Sequence, residues 1–332
     1  MVAVATIVVV VAVVVAETTS NCRLYIFPER MASVILSFFY VIGLAFPAHL
    51  VCIFFNLLIF EEINSSVMKK LILLFTALIL TLSAFARDYS YEKEILYRGA
   101  PDAYIEKMCR LDIAYESGQQ DRPVIIWFHG GGLTQGWRHI PEALLRDGAV
   151  VVGVGYRFVS EVSIQETLDD AAASVAWVIR NIEKYGGDVS RIYLAGHSAG
   201  GYIVSMLGLD KGYLAKYDID PDKQIKALAP YSGQVITHFA QRRKQGIGEL
   251  TPDIDHLAPL YFVRGDAAPM LVISGDRELE LYGRYEENAY FVRMLRLNGH
   301  EDVTFHELDG FNHGDMAEPA HLLLLKYIKD RK

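Results

Sequence analysis

Cysteine is scarce in this chain, with three among 332 residues, at Cys22, Cys52 and Cys109. Only Cys109 lies beyond residue 86, so no disulfide can close within 87–332, and its thiol is expected to pack as a small apolar group. No Cys/His cluster has metal-ligand spacing, so neither a metal nor another cofactor is expected. Positive charge is short as well: 32 Lys and Arg stand against 40 Asp and Glu, for a net charge of −8. The densest basic spot, "QRRK" at 241–244, is the length of a solvated patch. An acidic chain without a basic cluster argues against nucleic acid as a partner. Internal repeats and low-complexity stretches are missing too.

What is abundant is apolar sequence at the front. Residues 2–16 are almost purely Val, Ile and Ala, and 32–60 form a second run broken by Pro47. Then comes "MKKLILLFTALILTLSAFA", Met68 to Ala86, with two lysines behind a methionine, an apolar stretch and a small-x-small end. That is the layout of a secretory signal peptide. We therefore expect 68–86 to be a signal peptide and 1–67 to come from an upstream start called wrongly. The protein would be exported to the periplasm or secreted, without membrane attachment in its mature form. The alternative is a protein anchored in a membrane through residues 1–60. Removing 1–86 takes away four basic and four acidic residues, so the net charge stays at −8. No Cys follows the apolar stretch, so a lipid anchor is not indicated.

Residues 87–332 suit one α/β domain. "EKEILYRG" and "RLDIAYES" alternate as half-exposed strands do. "PVIIWFHG" and "AVVVGVGY" are short continuous β-rich runs, as expected of strands covered on both faces. "IPEALLRDG" between them is expected to be a short helix. Leu168, Ala172, Val175, Ala176, Ile179 and Ile182 recur at helical spacing between Thr167 and Tyr185, and Gly186-Gly187 stop that helix. Further strands are expected at "RIYLAG", "IKALAPYSG", "PMLVISG" and "DVTFHELDG". Helices are expected at 199–210, over "YGRYEENAYFVRMLRLNG", and at "AEPAHLLLLKYIKD". Strands alternating with crossover helices predict a mainly parallel sheet with helices on both faces. Residues 234–265 break this rhythm and are expected to form a lid-like insertion over one sheet edge.

Gly196-His197-Ser198-Ala199-Gly200 is a G-x-S-x-G between an expected strand and an expected helix. Small residues two positions either side let a serine occupy a strained turn that exposes its Oγ. A bland turn has the same composition, so the motif alone is weak. "FHGGGLTQGW" follows the strand "VIIWF", and the glycines after His129 and Gly130 allow backbone N–H groups to converge on one point. Those of Gly131, Gly132 and Ala199 would hold an oxyanion. A serine needs a base, and His313 lies on the loop after the last strand. His300, His306 and His321 are expected to be ordinary histidines. An acid to orient His313 should follow "PMLVIS". Three carboxylates compete there, and the usual reach of three residues past Gly275 selects Glu278 over Asp276 and Glu280.

From about Pro123 to His313 the chain resembles the hormone-sensitive-lipase-like branch of the α/β-hydrolase fold, the acetyl-esterase and carboxylesterase group. It is also similar to feruloyl/acetylxylan-esterase-like and kynurenine-formamidase-like relatives. "HGGGLTQG", "VGYRF", "LDDAAASVAWVIRNIEKYGGDVSRIYLAGHSAGG" and "DGFNHG" carry the resemblance, the long central stretch most specifically. The order nucleophile, acid, histidine is that of this fold. The resemblance implies Ser198 as nucleophile, His313 as base, and Glu278 as acid by position. It implies a serine carboxylesterase acting on small acyl esters, acetyl-type, glycan-linked or feruloyl, with a small ester or acylated saccharide as partner. Leu133 stands where the formamidase motif has an aromatic residue, which lowers that substrate class. The alternatives are an amidase, formamidase or peptidase on the same triad, and a non-catalytic binding protein of the same fold.

Overall fold

The computed structural model describes residues 12–18, 21–26, 88–99 and 102–331. The expected signal peptide 68–86 lies outside them, as does most of 1–67. The chain divides into two units, Met1–Phe85 and Ala86–Lys332. In the first, β1 (Ala12–Thr18) pairs antiparallel with β2 (Asn21–Ile26). The Val-rich run of β1 suits an extended backbone because branched Cβ atoms disfavour helix. Among the described residues no helix is long and apolar enough to cross a membrane.

The second unit is built on eight strands: β3 (Tyr89–Leu96), β4 (Arg110–Glu116), β5 (Arg122–Phe128), β6 (Val150–Val154), β7 (Gly187–His197), β8 (Ile225–Tyr231), β9 (Met270–Gly275) and β10 (Val303–Leu308). Their order across the sheet is β10-β9-β8-β7-β5-β6-β4-β3. From β10 to β6 every pairing is parallel, and β4 runs antiparallel to both its neighbours. Strands β6, β8 and β9 are buried along nearly their whole length, as their continuous apolar sequences require. β3 lies at the edge with an irregularity between Glu92 and Ile95, and it is mostly exposed.

Among the described residues eight helices accompany the sheet: α1 (Ala103–Met108), α2 (Ile164–Asn181), α3 (Ala199–Leu209), α4 (Lys211–Ala215), α5 (Pro221–Gln224), α6 (Phe239–Lys244), α7 (Arg284–Leu297) and α8 (Ala317–Asp330). The two faces of β5 show how the layers form. Val124, Ile126 and Phe128 enter the core under α2 and α3, while Ile125 and Trp127 enter the core under α8. α2 starts three residues earlier than its apolar spacing suggests, because Ser163 and Glu166 form a reciprocal capping box. Its last turn, Ile182–Tyr185, is 3-10, and Gly186 closes it at φ 78°. The short helix expected in "IPEALLRDG" is a 3-10 turn of four residues, Glu142–Leu145.

Residues 234–265 contain α6 and a 3-10 turn, Pro259–Phe262. The segment folds back on itself, Thr237 N–H donating to Asp253 O at 2.9 Å and Leu260 N–H to Val235 O at 2.9 Å. It is fastened to α3 through the Tyr202 hydroxyl, which donates to Leu257 O at 2.8 Å.

Candidate active site

Ser198 sits between β7 and α3 at φ 56° and ψ −114°, a conformation costing a non-glycine residue roughly 1–3 kcal/mol. Its surroundings leave no room for side chains. A Cβ on Gly200 would lie 1.9 Å from Phe128 O, and one on Gly196 would lie 2.5 Å from Gly200 C. The corner is anchored by Ser198 N–H donating to Tyr231 O at 2.8 Å. α3 starts at the next residue, so the positive end of its dipole faces the serine.

The glycine turn after β5 lies alongside: a Cβ on Gly130 would be 3.4 Å from Ser198 Cβ. Gly131, Gly132 and Leu133 all have positive φ, at 116°, 64° and 60°. Gly131 O accepts from Thr134 and Gln135 N–H, both at 3.1 Å, which closes the turn. The N–H groups of Gly131, Gly132 and Ala199 donate to no protein acceptor among the described residues. His129 holds the turn from below. It is buried, stacked on Tyr156 with centroids 4.4 Å apart, and its Nδ1 is 2.6 Å from Gly130 O. Burial lowers its pKa to about 4, so the ring is neutral near pH 7.

His313 lies on the loop after β10, and its Nδ1 is 2.8 Å from Glu280 Oε2. The carboxylate that meets it is therefore Glu280, and the selection of Glu278 is corrected. The chain past Gly275 does not run straight: Leu279 and Glu280 N–H both donate to Asp276 O, at 3.0 and 2.8 Å. That turn brings Glu280 back beneath the strand end, where Gly275 N–H donates to its Oε1 at 3.0 Å. Glu278 is left exposed. Asp276 is taken up by backbone, accepting from Gly310 N–H at 2.7 Å and Glu278 N–H at 2.8 Å. Its own N–H donates to Phe311 O at 2.9 Å, clamping the acid loop to the histidine loop.

The Glu280 side chain is fully buried. Burial on its own would raise the carboxyl pKa. The hydrogen bond and charge of His313, the Ser232 hydroxyl and Gly275 N–H outweigh it and hold the group down at about 2.

Two side chains at the site were not among the sequence candidates. Ser232, at φ 45° just past β8, donates its hydroxyl to Glu280 Oε1 at 2.5 Å and lies 3.1 Å from His313 Nδ1. Arg284 in turn donates to Ser232 O at 2.5 Å. His197, the variable residue of the serine motif, places Nε2 2.7 Å from His313 O, with the two rings 4.7 Å apart. The only sequence signal for His197 is its place beside the serine, and Ser232 has none.

Other quoted stretches prove to be framework. The guanidinium of Arg157 of "VGYRF" makes two hydrogen bonds to Asp170 of "LDD", 2.7 and 3.0 Å long, both residues being buried. Arg98 binds the same carboxylate. His300 Nε2 donates to Ala268 O at 3.1 Å, and His321 packs on Trp127; both are buried. Cys109 is buried with its pKa pushed up to about 12, first by burial and then by the charge of Asp170. Among the described residues no group of His, Cys, Asp and Glu has the arrangement of a metal site.

A mostly parallel eight-stranded sheet, with a serine on the corner after its central strand and a His–Glu pair on later loops, defines an α/β-hydrolase fold. Within it the chain belongs to the BD-FAE family, whose model matches residues 111–280. It is 26% identical over 258 residues to Esterase LipC of Mycobacterium tuberculosis, covering 70% of this chain and 62% of that protein. A shorter match, 39% over 90 residues, joins it to Carboxylesterase NlhH of the same organism, over 26% of this chain and 28% of that one. The chain thus spans less than two thirds of these relatives' length. Among solved structures it is similar to a truncated carbohydrate esterase from gut microbiota, with TM-score 0.61 and 18% identity, covering 73% of this chain and 96% of the other. Esterase B from Lactobacillus rhamnosis has TM-score 0.60 and 18% identity, covering 80% and 97%.

Proposed function

We propose that this protein is a serine carboxylesterase that cleaves small acyl esters through an acyl-enzyme. The observation that carries this reading is the pairing of His313 Nδ1 with buried Glu280, on the loops beside a serine held in a strained corner. With the Nδ1 proton directed at Glu280, the free lone pair of His313 is on Nε2, the nitrogen that would take the proton of Ser198. Ser198 Oγ attacks the ester carbonyl, and the charge that develops on the carbonyl oxygen is met by the N–H groups of Gly131, Gly132 and Ala199. His313 returns the proton to the departing alcohol. Water, deprotonated by the same imidazole, then releases the acid and restores the serine. Glu280 stays ionised throughout and stabilises the imidazolium.

The finer assignment is an acetyl or feruloyl group carried on a saccharide, met outside the cytoplasm. Support comes from the signal-peptide pattern of Met68–Ala86 and from the carbohydrate-esterase neighbour in structure. The test is release of p-nitrophenol from acetate, butyrate and octanoate esters, and of acetate from acetylated xylan, by the protein and its Ser198→Ala variant. Turnover lost in the variant sustains the esterase. Turnover that survives in it removes Ser198 from its role.

A further inference from the structure

Ser232 follows β8 at φ 45°, in the left-handed region where a side chain is strained, and it is fully buried. The backbone is held there from several directions. Its N–H donates to Ile273 O at 2.6 Å, and its carbonyl accepts from the Arg284 guanidinium at 2.5 Å. One residue on, Asn288 donates to Gly233 O at 2.9 Å, and a Cβ on Gly233 would lie 2.7 Å from Gly201 C on α3. Crowding therefore excludes a side chain at Gly233. At position 232 a glycine would relieve the strain, yet the chain carries a serine. What a glycine would lack is the hydroxyl.

That hydroxyl closes a ring of hydrogen bonds. It donates to Glu280 Oε1 at 2.5 Å, which leaves a lone pair of its oxygen for His313 Nδ1, 3.1 Å away. The same Nδ1 meets Glu280 Oε2 at 2.8 Å. Facing two acceptors, Nδ1 has to carry the proton, and the basic nitrogen of the imidazole is then Nε2. Glu280 Oε1 is held by the hydroxyl together with Gly275 N–H, so the plane of the carboxylate is fixed as well. We infer that Ser232 is a positioning residue: it fixes the Glu280 carboxylate and, with it, the tautomer and aim of the His313 imidazole, a role that rests on the esterase reading above.

The test measures kcat and KM on p-nitrophenyl acetate for the full chain, Ser232→Gly, Ser232→Ala, Glu280→Gln and the double variant Ser232→Gly/Glu280→Gln. A small alkyl fluorophosphonate, taken to completion, counts intact serines in each preparation. Ser232→Gly and Ser232→Ala are each expected to lower kcat about tenfold, with KM within about twofold of wild type. Ser232→Gly is nonetheless expected to melt at a higher temperature than Ser232→Ala, because it alone relieves the left-handed strain. In the Glu280→Gln background the Ser232→Gly change is expected to cost less than about twofold more, since both act through one carboxylate. A kcat within about twofold of wild type in fully labelled Ser232→Gly, or a loss seen in KM alone, overturns the role. So does the same loss of about tenfold in the Glu280→Gln background, which would detach Ser232 from the carboxylate. Incomplete labelling of both single variants also overturns it, by making Ser232 a folding residue. Absence of any Ser198-dependent ester turnover in the wild-type protein is a different result, because it defeats the esterase reading itself.

Discussion

Glu280 Oε2 accepts from His313 Nδ1 at 2.8 Å, and the carboxylate that does so is wholly shielded from water. Its other oxygen is bound by a hydroxyl and a backbone N–H, so neither oxygen is free to turn away. Replacing it by Gln in Glu280→Gln leaves the shape but allows the wrong imidazole tautomer. A fall in kcat of about 10²–10⁴-fold on p-nitrophenyl acetate is expected. Glu278→Gln, two residues away on the surface, is expected to stay within about twofold of wild type. The reverse order of effects would return the acid's role to Glu278.

The same carboxylate sets an acid limit on stability. Its folded-state pKa of about 2 lies below its ordinary value of 4.5, so folding is favoured by its ionised form. That contribution is complete above pH 4.5 and is lost as the pH falls towards 2. Thermal midpoints of wild type and Glu280→Gln, measured across that window, should draw together as the pH drops. Parallel curves would count against a depressed pKa.

His197 reaches across the site to the carbonyl of His313, and burial is the first cause holding its pKa at about 4. The ring is neutral near pH 7 and donates from Nε2. We expect this bond to position the histidine loop. His197→Phe keeps a ring but no donor, and should lower kcat about tenfold with KM little changed. His197→Gln, whose amide can reach the same carbonyl, should recover most of the loss. Equal activity in the two variants would mean that packing, not the hydrogen bond, matters at this position.

Asp170 takes hydrogen bonds from Arg157 and Arg98 at a point where the carboxylate has no exposure. Removing one partner of a buried pair strands the other's charge. Asp170→Ala should therefore cost about 3–5 kcal/mol in urea unfolding. Its effect on the site would follow from the loop after β6, which carries Arg157. A loss under 1 kcal/mol, against about 3 expected, would show that the guanidinium finds water instead.

Much of this molecule was legible along the chain because the signals are local. A continuous apolar run specifies a covered strand, as in β6 and β9, and a 3.6-residue spacing specifies α2. Ser198 stood out since only small neighbours permit its corner, and His313 since it follows the last strand. The short helix at Glu142–Leu145 was overestimated because four residues give too few hydrogen bonds to continue as α-helix.

Tertiary structure alone decided which groups meet. Counting from Gly275 chose Glu278, but the tight turn at Asp276 swings the chain so that Glu280 faces inward. Ser232 is 81 residues from His313 in sequence and His197 is 116, and no periodicity links positions so far apart. Phe239 comes to Gly132 only when residues 234–265 are laid on α3. Sequence by itself determined the backbone conformations, since these depend on near neighbours. The hydrogen-bond partners within the site depended on packing, which brings together residues that the chain keeps apart.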